Sequence, residues 1–209
     1  PSYNAILIGP EARTAVGDAV GESINGVVAI GAKSMAMKQY STALGTNAWA
    51  GAKGDIAVGW KSYTGSSKEL SDSNKIAIGT ESTALEENGI SVGTKSKTWD
   101  ANAIAIGNEA ETGNAGGVAS HDSIAIGNQA KIQGQHNVAI GSGVTVGTGS
   151  TSSCSSYVVA IGSDSHAYDT DSVVIGCHSE VRENAVVVGN RSKAGMQSVA
   201  LGSSIEAGE

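Results

Sequence analysis

The chain has 209 residues, no Phe, 29 Gly and a formal net charge of −7, and aromatic residues make up only 4% of it. Large side chains normally fill a globular interior, whereas the apolar residues of this chain are mainly Ala, Val and Ile. Such residues favour thin layers between closely spaced strands. The negative charge disfavours a phosphate-binding surface, and we expect no nucleic-acid partner.

The chain begins at Pro1 and stops at Glu209 in the middle of its repeat pattern. No apolar run approaches the roughly twenty residues of a transmembrane helix, and no secretory leader is visible. We therefore expect a single repetitive domain, residues 1–209, cut from a longer fibrous protein. Contact with a membrane is expected only through segments outside this one.

A strand-like tetrapeptide that ends in Gly recurs thirteen times along the chain. Internal repeats of this kind indicate a solenoid. The spacing between successive copies is mostly 14 residues, with longer steps of 20 to 22 and two final steps of 13. The anchor glycines, which end the copies, are Gly9, Gly31, Gly45, Gly59, Gly79, Gly93, Gly107, Gly127, Gly141, Gly162, Gly176, Gly189 and Gly202.

The residues around each anchor glycine predict two short strands per repeat. The residue one position before the glycine is always Ile, Val or Leu, and the residue three before is Ile or Val in every copy but the one with Thr42. This alternation predicts a half-buried strand whose large side chains point inward. Small or apolar residues three and five positions after the glycine predict a second inward-facing strand. One coil is then strand, turn, strand, turn, and thirteen coils at ~4.8 Å would span roughly 60 Å.

The residue two positions before each anchor glycine is expected to point outward from such a coil. Nine of the thirteen copies carry Ala there, where a solvent-facing position would normally be polar. A continuous apolar column on an outer face indicates that another subunit covers it. The predicted subunit interface consists of Ala29, Ala43, Ala57, Ala77, Ala105, Ala125, Ala139, Ala160 and Ala200.

Segments such as Ser123-Ile-Ala-Ile-Gly127-Asn-Gln-Ala130 and Val159-Ala-Ile-Gly162-Ser-Asp-Ser165 carry a family resemblance. They resemble the YadA-like head repeats of trimeric autotransporter adhesins, and the resemblance covers nearly the whole chain. It implies an all-β fold, a left-handed parallel β-roll of about thirteen 14-residue coils, assembled as a homotrimer. It also implies a place on the bacterial outer surface and binding to host extracellular matrix, surface glycan or another receptor. The same repeats occur in bacteriophage tail fibres.

Large apolar side chains gather near the N-terminal end of one outward row, four positions after the anchor glycines. Met35, Trp49 and Tyr63 follow one another in this row, and Trp60 is close by in sequence. Exposed aromatic side chains are typical binding anchors, so these four residues are the candidate ligand-binding site. The alternative is that they cover a subunit junction or cap the end of the roll.

Neither a metal site nor a catalytic site is predicted. Asp164, His166, Asp169, Asp171 and His178 crowd one stretch, but we interpret it as a solvated polar turn rather than a metal site. His121 and His136 show no further pattern. Nucleophile-elbow, phosphate-loop and zinc-protease motifs are absent from the sequence, so we expect no enzyme activity and no cofactor.

The sequence leaves several questions open. Cys154 and Cys177 are either two free thiols or a disulfide. The leading hypothesis for function is a non-enzymatic adhesin head that binds another cell's surface. The alternatives are a bacteriophage tail fibre or receptor-binding spike that recognises a bacterial surface, located on a virion, and an inert spacer that lengthens a fibre.

Overall fold

A computed structural model describes residues 4–14, 25–65, 74–113, 120–147 and 155–208. The chain divides into two compact units, Pro1–Ala101 and Asn102–Glu209. The elements in the described part of both units are short β-strands joined by turns. No helix long and apolar enough to cross a membrane occurs in these ranges.

In the first unit, longer strands alternate along the chain with strands of two residues. The longer strands precede the anchor glycines: β1 (Ala5–Ile8), β3 (Val27–Ile30), β5 (Thr42–Leu44), β7 (Ile56–Val58), β9 (Ile76–Ile78) and β11 (Ile90–Val92). The short strands follow them: β2 (Arg13–Thr14), β4 (Met35–Ala36), β6 (Trp49–Ala50), β8 (Tyr63–Thr64), β10 (Thr83–Ala84) and β12 (Lys97–Thr98).

The second unit repeats this alternation. Its longer strands are β13 (Ile104–Ile106), β15 (Ile124–Ile126), β17 (Val138–Ile140), β19 (Val159–Ile161), β21 (Val173–Ile175), β23 (Val186–Val188) and β25 (Val199–Leu201). Its short strands are β14 (Glu111–Thr112), β16 (Lys131–Ile132), β18 (Thr145–Val146), β20 (His166–Ala167), β22 (Glu180–Val181), β24 (Lys193–Ala194) and β26 (Glu206–Ala207).

Within each unit, every odd-numbered strand pairs in parallel with the next odd-numbered strand, and every even-numbered strand with the next even-numbered one. The register follows the sequence repeat, since Ala29 pairs with Ala43 and Ala43 with Ala57. In the second unit, Ala105 pairs with Ala125 in the same way. The predicted coil of strand, turn, strand and turn is therefore confirmed, and each unit is a β-solenoid built from two parallel sheets.

The predicted facing of the odd-numbered strands is wrong. The alanines two positions before the anchor glycines were expected outside, but within the single chain they have 0% exposure. They are Ala29, Ala43, Ala57, Ala77, Ala105, Ala125, Ala139, Ala160 and Ala200. A side chain with no accessible surface has none to offer a second subunit, so these alanines do not form a direct subunit contact.

The Ile and Val side chains of the odd-numbered strands lie on the outer face instead. Ile106 is 37% exposed and Ile175 is 40% exposed. The reason is volume, because Ala and Ser with some Val and Ile132 already fill the interior between the two sheets. That leaves no room for the larger column of Ile and Val side chains as well. The predicted inward facing of the even-numbered strands is confirmed: Ser34 and Ala36 around β4, for example, are fully buried.

Buried serines three positions after an anchor glycine satisfy glycine carbonyl groups inside the coil. Ser34 Oγ donates to the Gly31 carbonyl at 2.9 Å. In the second unit, Ser179 Oγ donates to the Gly189 carbonyl, one coil further along, at 2.9 Å. A small hydroxyl side chain therefore fits the narrow interior without leaving its own polar group unpaired.

The anchor glycines lie where successive coils approach most closely. Gly31 has φ +129°, and a Cβ placed on it would lie 2.6 Å from the carbonyl carbon of Gly45 in the next coil. A side chain would therefore meet both an unfavourable backbone conformation and a backbone clash. This explains why the repeat returns to Gly at the same point of each coil.

One pair of opposite charges is buried inside the first unit. Asp55 Oδ2 lies 3.7 Å from Lys75 Nζ, and both side chains are 0% exposed. The same carboxylate accepts the backbone N–H groups of Ala52 and Lys75, each at 2.9 Å. Both residues occupy the position four before an anchor glycine, where most other coils place a small or uncharged residue.

The inward facing of the alanines predicts the effect of enlarging one of them. Ala105→Leu should destabilise the protein by about 1–3 kcal/mol, because the closed interior has no space for the added atoms. Ile106→Leu, one residue along the same strand, should cost less than about 1.5 kcal/mol. The measurement is the free energy of urea unfolding, and a larger loss for Ile106→Leu would contradict this facing.

The buried ion pair predicts a non-additive double-mutant cycle. Asp55→Ala should destabilise the protein by about 3–5 kcal/mol, because the Lys75 ammonium stays buried without this counter-charge. Adding Lys75→Met should recover most of that loss. Urea unfolding of the two single variants and the double variant gives the coupling free energy, and additive losses would contradict the assignment.

Candidate functional site

Each unit presents a column of large aliphatic side chains on the outside of its odd-numbered strands. We call these columns the aliphatic face. It comprises Ile6, Ile8, Val28, Ile30, Leu44, Ile56, Val58, Ile76, Ile78, Ile90 and Val92 in the first unit, and Ile104, Ile106, Ile124, Ile126, Val138, Ile140, Val159, Ile161, Val173, Ile175, Val186, Val188, Val199 and Leu201 in the second. All of them retain accessible surface in the single chain. Contiguous apolar surface of this kind marks an interaction site.

The predicted aromatic row lies on the even-numbered strands of the first unit. Met35 pairs in register with Trp49, and Trp49 pairs with Tyr63. The rings of Trp49 and Tyr63 have centroids 6.1 Å apart with an interplanar angle of 33°. Parallel pairing therefore places the three side chains on three successive coils, pointing outward as predicted.

Two glycines allow the aromatic rings to lie along the sheet. A Cβ on Gly51 would lie 2.9 Å from Trp49 Nε1, and a Cβ on Gly65 would lie 2.7 Å from Tyr63 Cζ. The rings therefore occupy the space that side chains at these two positions would fill. The result is a broad, low aromatic surface rather than projecting side chains.

Trp60 lies in the turn after Gly59, outside this row. It is 45% exposed, and Lys61 Nζ lies 4.3 Å from its ring centroid. Whether Trp60 acts with Trp49 and Tyr63 stays a prediction, as does ligand binding by any of the four residues.

A shallow cleft lies beside Met35 at one end of the aromatic row. Its lining consists of Glu11, Arg13, Lys33, Met35 and Asn47. Arg13 Nε lies 2.9 Å from Met35 Sδ. The cleft therefore combines charged and amide groups with the edge of an apolar surface, an arrangement that suits a polar ligand with one apolar side.

The residues of the polar stretch from Asp164 to His178 do not all lie together in the structure. His178 Nδ1 lies 3.8 Å from Asp164 Oδ2 across two successive turns. His166 lies on β20 instead, where it pairs in register with Glu180. Asp171 occupies the turn before β21, the second turn of the coil. Stacking of the coils therefore does not place His166 opposite His178.

A different histidine cluster, which the sequence did not predict, forms in the second unit. His121 Nδ1 lies 3.1 Å from Asp122 Oδ2, and His136 Nε2 lies 3.7 Å from the same oxygen. Asp122 and His136 both stand five positions before an anchor glycine, at a left-handed turn residue with φ +57°. The sequence could have indicated this cluster through the shared turn position, because equivalent positions of successive coils stack.

The carboxylate of Asp122 is held in its ionised form. Its pKa lies below the ordinary value, because the hydrogen bond with His121 outweighs the opposing effect of desolvation. The Asn102 amide and the charges of the His121 and His136 imidazoles lower it further. Asn102 Nδ2 donates to Asp122 Oδ1 at 3.1 Å, which leaves Oδ2 for the two histidines.

Cys177 lies exposed in the turn after Gly176 and has no disulfide partner among the described residues. Cys154 lies outside the described residues, so the disulfide stays a hypothesis.

Comparison with known families decides what the repeat is. Four segments match the model of the YadA head domain repeat: residues 38–62, 76–96, 86–110 and 159–176. The chain carries YadA head repeats. They occupy both units and coincide with coils described above. A comparison with curated proteins found no match.

YadA head repeats form an adhesin family whose members are surface-exposed and generally non-enzymatic. The family points to an adhesin-like function for this chain. The all-β architecture of parallel strands agrees with a roll of such repeats.

Proposed function

We propose that this chain is the head of a cell-surface adhesin, which assembles as a homotrimer through its aliphatic face and binds a host surface glycan or matrix protein through its aromatic row. The observation that carries the assembly is the inverted distribution of side-chain size. The coils bury mainly Ala and Ser, together with several Val and Ile132. The Ile, Val and Leu residues one and three positions before the anchor glycines retain accessible surface on the outside.

The energetics favour association of such coils. Full burial of a Val or Ile side chain stabilises a protein by about 1.5–3 kcal/mol relative to its exposed state, and a coil that buries mainly Ala gains little of this by itself. The aliphatic face therefore holds most of the hydrophobic free energy that the single chain leaves unused. A second and a third copy of the chain carry the same face. Association of the three copies gains this hydrophobic free energy because it covers these side chains.

The threefold number rests on the YadA head family rather than on a measured contact. Each unit has its aliphatic face on the odd-numbered strands, and the aromatic row lies on the even-numbered ones. Assembly through the first surface consequently leaves the second free for a ligand.

The aromatic row supports recognition of a glycan. Trp49 and Tyr63 form a low aromatic surface over Gly51 and Gly65, which suits the flat apolar face of a sugar ring. The cleft beside Met35 supplies Arg13 and Glu11 for hydroxyl groups. A ligand that spans both would meet an apolar platform and a few polar groups, the usual composition of a binding site.

The proposed assembly predicts the solution mass of the chain and of an aliphatic-face variant. The unaltered chain should have a mass near three times 20.8 kDa by equilibrium sedimentation. The double variant Ile106→Glu with Ile140→Glu should lose the trimer, because each charge would be buried in the interface without a partner. Both side chains are 37% exposed in the single chain, so the coil itself should tolerate the change.

The matched control is Lys131→Glu with Thr145→Glu, on the outer side of the even-numbered strands. This variant should keep the trimeric mass. A folded monomer of the unaltered chain, with strand content verified by circular dichroism, would contradict the proposed assembly whatever the variants do.

The proposed ligand site predicts a selective loss of glycan binding. Trp49→Ala should weaken binding by roughly tenfold or more, the size typical of an aromatic anchor. Trp99→Ala, a Trp in the same unit but outside the row, should leave affinity unchanged. The measurement is a screen of host glycans, matrix proteins and bacterial envelope glycans on the trimer, followed by titration of each hit with both variants. Equal losses in the two variants would contradict the assignment, and hits confined to bacterial envelope glycans would favour the tail-fibre alternative.

A further inference from the structure

Three side chains of the second unit direct nitrogen and oxygen atoms at a common point. The ligand atoms of His121, Asp122 and His136 all lie within 4.8 Å of one another. Among the described residues, this is the one group of three or more His, Cys, Asp or Glu side chains with that property. Its members come from two successive coils, which the backbone hydrogen bond from His136 N to the His121 carbonyl joins at 3.2 Å.

The distances suit a tetrahedral metal ion. Nitrogen and oxygen ligands at about 2.1 Å from zinc lie roughly 3.4 Å apart at a tetrahedral angle. Asp122 Oδ2 lies 3.1 Å from His121 Nδ1 and 3.7 Å from His136 Nε2. Both distances lie within about 0.3 Å of that value. The side chains of His121, Asp122 and His136 are 38%, 43% and 42% exposed, so an ion bound there would have a position open to water.

Neighbouring residues of the same turn column hold two of the ligands in place. Asn102 Nδ2 donates to Asp122 Oδ1 at 3.1 Å and fixes the orientation of the carboxylate. The Tyr157 ring stacks on the His136 ring, with centroids 5.0 Å apart and an interplanar angle of 10°. Partners that orient the ligands are a regular feature of metal sites in proteins.

We propose that His121, Asp122 and His136 bind one divalent transition-metal ion of the zinc type. Two imidazoles and one carboxylate favour zinc or its neighbours over magnesium and calcium, which take oxygen ligands. Because the ligands come from two successive coils, the bound ion links those coils and stabilises the folded chain against separation of their turns. The site is independent of the aliphatic face and of the aromatic row.

The test is a calorimetric titration of the untagged chain, residues 1–209, with zinc chloride after removal of bound metal with EDTA. The unaltered chain should bind one ion per chain, and zinc should raise its midpoint of thermal unfolding. His136→Asn and Asp122→Asn should each weaken zinc binding by about tenfold or more and reduce the thermal shift. Asn is chosen because it tolerates the left-handed turn conformation of both positions.

The matched control is His178→Asn. His178 also occupies a left-handed turn position beside a carboxylate, Asp164, at 3.8 Å, but that pair has no third ligand among the described residues. This variant should bind zinc like the unaltered chain. The absence of stoichiometric zinc binding by the unaltered chain would overturn the proposal. Unchanged binding by folded His136→Asn and Asp122→Asn variants would overturn it as well.

Discussion

The narrow interior of the coil is the constraint on which the rest of this structure depends. Two strands of a single coil lie so close that the space between them holds mainly Ala and Ser, with some Val and one Ile, Ile132. Successive coils also approach closely at their anchor glycines, as between Gly31 and Gly45. Most of the large aliphatic side chains of the odd-numbered strands therefore lie outside, where their hydrophobic free energy is available for association rather than for folding.

A narrow interior also restricts which polar groups can be buried. Serine is tolerated because its hydroxyl reaches a glycine carbonyl of its own or the next coil. Asp55 and Lys75 are tolerated because the carboxylate meets both the ammonium and two backbone N–H groups. In each of these cases the buried polar group finds its partner within its own coil or the next one.

Regular stacking turns sequence positions into columns of neighbouring side chains. The even-numbered strands align Met35, Trp49 and Tyr63. The turns before the odd-numbered strands align Asn102, Asp122, His136 and Tyr157, which hold or form the histidine cluster. A binding site on such a scaffold needs no loop of special conformation, because chemistry placed at equivalent positions of successive coils becomes adjacent through the parallel register.

The repeat, the two strands of each coil, their parallel stacking and the outward aromatic row follow from the amino-acid sequence. An alternation of period two shows that neighbouring residues face opposite sides of a strand, but not which side faces the interior. Ile106 and Ala105 were therefore assigned to the wrong sides. The fold assigns the two sides, because the distance between the two sheets sets which side-chain volume fits inside. The cluster of His121, Asp122 and His136 also required the fold. Two of its members share a turn position and the third precedes it, and only the path of the chain through that turn directs their side chains at one point.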